Sequence, residues 1–488
     1  MARGREILRQ LIDERRDAPP PARSGREPAP PVEVWPPDAL DNEHQPPGCF
    51  FYRPDQLLVW DEPANLRRFE AAATELGLDA RPAPPNYVVP VADFADADFA
   101  DADFADDGLT TDTYVTIPVN PRVPSGAVRY VVAGLGQGVP DVCASLLAKG
   151  VRVSPNHVVF GCQTWEFWPD GDPAPATPAQ QATVLRDFGL ARRHADGHGV
   201  KVAVVDSGLP RCWWENPLLA NVECAAYPAS SPVPGQQELE PYAWAHPRAN
   251  VAYPQGHGAF ACGVVAQFAP DARVVSYRAL DGKLTSDEWA LACQLSQVVD
   301  DLGDQLIVNL SLGFYTMNDD PPLALGGLAA LLEKNRGTPI FFAAAGNVDH
   351  DRPFYPAAEP WTVTVGATEE MADHYQRAPF SDFGTALSTP RFWVQVCSPG
   401  VNVASSFPAQ DFIATPGAVP VPFPPEGWGV WSGTSFATPR VCGIAAARAS
   451  HQQLNLAGGV AAVLQNLQAN GGPVIIDPAG RSIGVLVL

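Results

Sequence analysis

Five near-continuously apolar runs separated by helical stretches constrain this chain more than any other feature. They are VKVAVVD (200–206), ARVVSYRAL (272–280), QLIVNLSLG (305–313), PIFFAAAG (339–346) and WTVTVGA (361–367). The helical stretches fall around 258–267, 287–302 and 325–335. A strand that is apolar at every position is buried on both faces, and intervening helices are what cover it. The expected fold class is therefore α/β, a mostly parallel sheet with helices on both faces. Ligands in such sheets sit outside the carboxyl ends of the strands.

Upstream the pattern differs. Residues 1–48 are proline-rich and are expected to form a short charged helix (6–16) and a flexible tail. From residue 49 to 161 the order reads strand (56–60), helix, strand (113–119), strand (128–135), helix, strand (151–161). The first helix opens at Asp61-Glu62-Pro63 and stops at Gly77; the second opens at Pro140 and stops at Gly150. That order is the ferredoxin-like split βαβ arrangement of a small α+β domain. Within it, ADFAD occurs three times from Ala92 to Asp106. The repeat is similar to one rung of a pentapeptide coil, but a single rung cannot bury its own face. It reads as an acidic inserted loop. Residues 162–181 read as a proline-rich linker, and 182–488 as the larger domain.

Fifty-four acids against 32 bases give a formal charge of −22, a field that repels phosphate backbones and anionic lipid heads. No apolar run reaches the ~18–20 residues needed to span a bilayer, and the first residues lack the apolar core of a secretory signal. Nine cysteines with no C-x-x-C pair suit reduced thiols in a cytoplasm. Metal-ligand spacing is absent, and no cofactor is implied.

Four residues at strand or helix ends carry candidate chemistry. Asp206 ends the first apolar strand, where a lone Asp is most often a cap or turn former. His257 stands between two glycines at a helix start, a place a structural cap also fits. Ser435 follows Gly-Thr at the start of another helix, with Pro439 in its first turn. Asn347 follows Ala-Ala-Ala-Gly past a strand end, where an Asn is usually only a turn residue. Taken together they supply an acid to orient an imidazole, an imidazole to take a proton, a hydroxyl on a positive helix end and an amide donor. Acyl transfer by a nucleophilic serine needs that set. The chain order Asp, His, Ser differs from those of α/β-hydrolases and chymotrypsin-like enzymes.

VAVVDSG, HGAFACG, NLSLG, AAAGN, YPAA, VTVGAT, FSDFG, SPGVNV and SGTSFATP occur in the order found in the subtilisin-like serine proteases, and residues 200–449 resemble that family. The resemblance implies a serine endopeptidase with Asp206, His257 and Ser435 as the triad and Asn347 as oxyanion donor. It also implies that Ser311, Leu312 and Gly313, with Ala343, Ala344, Ala345 and Gly346, hold an extended polypeptide substrate by β-augmentation. Ala259, Phe260 and Phe436 depart from the family pattern and are expected to be packing changes. Phe314 stands where a small residue is common and is expected to narrow or cap the primary specificity pocket. Insertions at 227–250 and 407–429 are expected to rim the cleft. The 49–161 region is similar in pattern to the propeptides of many subtilases, which implies an intramolecular inhibitor and chaperone. A narrow processing protease for one partner or precursor peptide, and a non-catalytic peptide-binding pseudoprotease, are the alternatives.

Overall fold

The computed structural model describes Ile12 and residues 32–41, 48–83, 86–91, 113–118, 126–133, 138–161, 172–210, 213–225, 251–252, 256–281, 284–303, 306–334, 339–384, 393–408, 412–413, 421–424, 426–452, 474–476 and 482–486. The first unit runs β1 (Glu33–Trp35), β2 (Phe50–Trp60), α1 (Pro63–Leu76), β3 (Asp79–Pro82), β4 (Asn86–Val91), β5 (Thr113–Pro118), β6 (Ala127–Ala133), α2 (Val139–Ala148) and β7 (Val153–Phe160). Its antiparallel sheet has the order β7-β2-β6-β3, with β1 also on β2. This is the expected split βαβ order with one strand reassigned. The second strand is Asp79–Pro82, not 113–119. Its DARP sequence is a short edge with no buried residue, so no apolar alternation announced it. Thr113–Pro118 instead pairs with Asn86–Val91 as a separate hairpin. The ADFAD repeat lies outside the described residues.

Two expected boundaries move. Inside the supposed tail, Ile12, Val32, Val34, Ala39 and Leu40 are buried with Cys49, Phe51, Val158 and Phe160. A few apolar residues among many prolines are enough to dock that segment. At the other end, the linker is shorter than 162–181, because β8 (Ala174–Pro175) pairs with a later strand and α3 (Pro178–Arg193) follows directly. Thr177 caps that helix. Its hydroxyl accepts from Gln180 N–H at 3.3 Å, Gln180 Oε1 accepts the Thr177 N–H at 2.9 Å, and Pro178 sits where no N–H is needed.

The second unit continues with β9 (Lys201–Asp206), β10 (Glu223–Cys224), β11 (Val251–Ala252), α4 (His257–Phe268), β12 (Arg273–Arg278), β13 (Thr285–Asp287), α5 (Glu288–Leu302), β14 (Leu306–Leu310), α6 (Leu325–Lys334) and β15 (Ile340–Ala344). There follow β16 (Thr362–Glu370), β17 (Tyr375–Arg377), β18 (Val394–Pro399), β19 (Val403–Ser406), β20 (Phe412–Ile413), β21 (Trp428–Trp431) and α7 (Thr434–Gln452). The main sheet runs β10-β12-β9-β14-β15-β16 in parallel, with β18 beside β16 and β17 as an antiparallel edge. Alternation along β9 assigns its faces. Val202 and Val204 pack with α4 and α7, while Ala203 and Val205 pack with α5. Both faces are covered, as the unbroken apolar runs require.

The two units share a sheet edge. β13 leaves the second unit and pairs antiparallel with β7, Asp287 opposite Val158 and Thr285 opposite Phe160. One apolar cluster runs through both, from Phe50, Leu57 and Val159 to Leu280, Leu312 and Phe314.

Candidate active site

Asp206 ends β9 fully buried, with both carboxylate oxygens 2.9 Å from His257 Nδ1. Ser207 donates its backbone N–H (2.7 Å) and hydroxyl (3.0 Å) to Asp206 Oδ1, and its oxygen accepts the Gly258 N–H at 2.9 Å. Strand end and helix start are therefore stitched together. Gly258 is required there, because a Cβ would lie 2.6 Å from the Gly208 carbonyl oxygen. The imidazole is fully buried against the rings of Phe436 (5.2 Å) and Trp431 (5.7 Å), and its Nε2 has no hydrogen-bond partner among the described residues.

Ser435 is the second residue of α7 and precedes the Phe436 that packs on His257. Its hydroxyl donates at 3.5 Å to the carbonyl oxygen of Gly161, the last described residue after β7. Pro439 lies one turn further in than the sequence reading put it. Lacking an N–H, it leaves the Ser435 carbonyl without its i+4 donor, and the Ser311 hydroxyl takes that place at 2.7 Å. Ser311 thus fixes the start of the helix that carries Ser435.

Asn347 stands past β15, with its Oδ1 accepting at 2.8 Å from both the backbone N–H and the hydroxyl of Thr434. That orients the amide, with the Nδ2 donors on its other side. Asp206, His257, Ser435 and Asn347 come together through β9, α4, α7 and the loop after β15.

An extended segment of the chain's own backbone runs up to this cluster. Phe160 N–H donates to Gly313 O at 2.9 Å and Gly313 N–H donates to Phe160 O at 2.8 Å. On the opposite side Gly161 N–H donates to Leu284 O at 2.9 Å, continuing the β7–β13 ladder. Gly313 was expected in such a role. Ala343 to Gly346 make no such bond among the described residues, because Ala343 and Ala344 are held in the ladders to β14 and β16 and Ala345 N–H donates to Val365 O. The second edge on this segment is Leu284 with β13, which sequence reasoning missed. Three residues, two of them polar hydroxyls, give no apolar run to read; the only signal was Asp287 as a helix cap.

Phe314 is buried with its ring stacked 5.9 Å from His157 of β7, so it packs on the first unit. Phe260 packs 4.5 Å from Phe436, as a packing substitution should. The 227–250 insertion lies outside the described residues. Of the 407–429 insertion, Phe407 and Phe423 stack at 4.4 Å beside Trp431.

Known proteins resemble this chain in sequence and in fold. The profile described as "Subtilase family" matches residues 197–467, more than half of the chain. Thermitase of Thermoactinomyces vulgaris is 26% identical over 285 residues, 56% of this chain and 82% of the relative. A thermophilic serine proteinase of Bacillus sp. (strain AK1) is 30% identical over 193 residues, and the match spans only 39% of each chain. In fold, the chain is similar to fervidolysin from Fervidobacterium pennivorans, a keratinolytic enzyme related to subtilisin. The TM-score is 0.54 at 16% identity, covering 89% of this chain and 60% of that one. With the profile spanning α4, the parallel strands and α7, the chain belongs to the subtilase family.

Proposed function

We propose that the chain is a serine endopeptidase restrained by its own N-terminal unit. The observation that carries this is the strand in the cleft. Phe160 exchanges two backbone bonds with Gly313, and the next carbonyl, that of Gly161, meets the Ser435 hydroxyl at 3.5 Å. A site that holds extended backbone against a nucleophile is built for peptide bonds.

In the proposed reaction Ser435 Oγ attacks the carbonyl carbon of a bound peptide, and its proton passes to His257 Nε2, the atom without a partner among the described residues. Asp206 accepts the Nδ1–H and holds the ring in the tautomer that leaves Nε2 basic. The carbonyl oxygen becomes an oxyanion, stabilised by Asn347 Nδ2 and the positive start of α7. The C–N bond then breaks and the leaving amine takes the proton from His257. A water molecule repeats the sequence on the acyl-enzyme and frees Ser435. Ser311 to Gly313 form one wall of the substrate groove in this reading, with the small side chains of Ala343, Ala344 and Ala345 beside Gly346 near the reacting carbonyl.

Restraint follows from the same contact, since the strand from the first unit occupies the ladder a substrate needs. Covalent attachment keeps its effective concentration high. A reducing, cytoplasmic setting belongs to the reading and is supported by the unpaired thiols of Cys143, Cys262, Cys293 and Cys442, all buried, which burial pushes up.

The test is incubation of wild type and Ser435→Ala, with mass measurement of fragments and labelling by a fluorophosphonate. Wild type is expected to label and to break within a residue or two after Gly161, while Ser435→Ala does neither. A folded wild type that neither labels nor cuts any peptide would leave a peptide-binding pseudoprotease.

A further inference from the structure

We infer that Asp382 is a positioning residue for the oxyanion donor, its carboxylate clamping the loop on both sides of Asn347. The inference rests on the endopeptidase reading and adds a residue to it.

Asp382 lies in the segment after β17, 1% exposed. Its Oδ1 accepts from Val348 N–H at 3.0 Å and His350 N–H at 2.9 Å. Its own backbone N–H donates to Gly346 O at 3.1 Å. Asp349 N–H donates to Phe380 O (2.9 Å) and Phe383 N–H to His350 O (3.0 Å). Positions 346, 348, 349 and 350 are thus tied to residues 380–383, while Gly346 and Asn347 also reach across to Thr434. The loop is held from behind by Asp382 and from the front by Thr434, and the amide between them has one orientation left.

The carboxylate also sets the backbone shape. Gly346 adopts φ +112°, and a Cβ there would sit 2.1 Å from Asp382 Oδ2. The side chain fills the space that any other residue at 346 would need, so loop and carboxylate are fitted as a pair. Oδ2 in turn accepts from the Tyr315 hydroxyl at 3.3 Å, which anchors the clamp to the segment after Gly313. Ionisable neighbours on the surrounding elements are Tyr315, whose ring carries Arg352 at 4.6 Å, and Asp349, which pairs with Arg377 at 2.7 Å.

A buried carboxyl is a costly way to satisfy two amides. Burial pushes Asp382 up to about 7, against the lowering effect of the His350 and Val348 N–H groups and the Tyr315 hydroxyl. Both amides converge on one oxygen, which neither a serine hydroxyl nor an alanine at 382 would supply in that place. An asparagine would supply it without the charge.

The clamp is tested by a double-mutant cycle on the full chain, with kcat and KM for a chromogenic peptide and unfolding measured alongside. Asp382→Ala is expected to lower kcat about 10-fold or more with KM nearly unchanged, less than the ~10²–10³ that loss of an oxyanion donor costs. In an Asn347→Ala background the same change is expected to cost about 2-fold or less, because there is no donor left to place. Asp382→Asn is expected to keep kcat within about 3-fold, because the shared acceptor remains. Full additivity, or a fall in a folded Asp382→Asn as deep as in Asp382→Ala, would overturn the clamp. If Asp382→Ala does not fold, the Asn variant decides alone, and a fall in kcat well beyond about 3-fold in a folded Asp382→Asn would overturn the clamp. A wild type that cuts nothing, even after its N-terminal unit is removed by an added protease, overturns the endopeptidase reading instead.

Discussion

His257 is bound firmly at one nitrogen and left open at the other. Nδ1 meets both oxygens of Asp206, and Nε2 meets no hydrogen-bond partner among the described residues, although the ring is walled in by Phe436 and Trp431. A buried imidazole nitrogen without a partner costs free energy, and taking up the Ser435 proton as the hydroxyl attacks a bound substrate would remove that cost. Asn347 is the complementary case, with its oxygen committed to Thr434 and its Nδ2 donors on the opposite side of the amide. Asn347→Ala should therefore lower turnover by about 10²–10³ with little change in KM. Steady-state kinetics check this, and a KM effect with kcat intact would assign Asn347 to binding instead. Asp382 gives a second prediction, on stability. Its folded titration lies at about 7 against 3.8 for an ordinary aspartate, so the fold favours the neutral acid. The wild type therefore loses stability as pH rises from about 4 through 7, as the unfolded chain gives up a proton that the folded one keeps. Asp382→Asn has no such loss. Relative to wild type it should gain on the order of 2–4 kcal/mol between pH 4 and pH 8. Urea midpoints at the two pH values measure the difference, and an equal offset at both would contradict it.

At the scale of elements, legibility followed burial. β9, β14 and β15 are mostly apolar, and β12 and β16 are buried along most of their length, because both faces are covered, so the sequence displays them directly. α4 and α7 were legible for the same reason, and with them His257 and Ser435. Edges were not. β3 (DARP) and β13 (TSD) owe their structure to a neighbouring strand's free backbone groups, and their side chains carry no periodicity. β13 is nevertheless the element that joins the units. It offers its ladder to β7, and its last residue, Asp287, caps α5 by accepting Ala290 N–H at 3.0 Å. Asn156 of β7 accepts the adjoining Trp289 N–H at 3.2 Å, so the start of α5 is capped from both units. Arg53 Nε also reaches Asp287 at 3.4 Å. Asp287→Ala should therefore destabilise the chain by about 0.5–2 kcal/mol from the cap alone, and by more through Arg53, a buried cation that loses one carboxylate. Denaturant unfolding measures it, and a value near zero would mean that Asn156 suffices as the cap.

For the whole molecule, the interface between units is unusually polar for one so deeply buried. His157 of β7 holds Glu288 at 2.7 Å through Nδ1 and accepts Met317 N–H at 3.1 Å through Nε2. Arg352 donates to Cys49 O at 2.6 Å, and Arg53 donates to Ser286 O at 3.2 Å. Each bond would have to be replaced by water if the units parted, so the first unit as a whole should stay docked while its last residues test the cleft. Those residues are where restraint can be loosened selectively. Gly161 has no room for a side chain, since a Cβ would lie 2.6 Å from Leu280 Cδ1 and 3.2 Å from Leu284 Cβ. Gly161→Leu forces extra atoms into that contact, and overpacking of this kind costs about 1–3 kcal/mol. The cost falls on the occupied cleft and not on the open one, so the population with an open cleft should rise by roughly 5- to 150-fold. Initial rates on added peptide, taken before any self-cleavage, should then be higher for full-length Gly161→Leu than for full-length wild type. Glu70→Gln, on the exposed side of α1, is the control and should match wild type. Equal initial rates for Gly161→Leu and wild type would mean that the strand ending at Gly161 does not limit access to Ser435, and the restraint would have to be sought elsewhere in the chain.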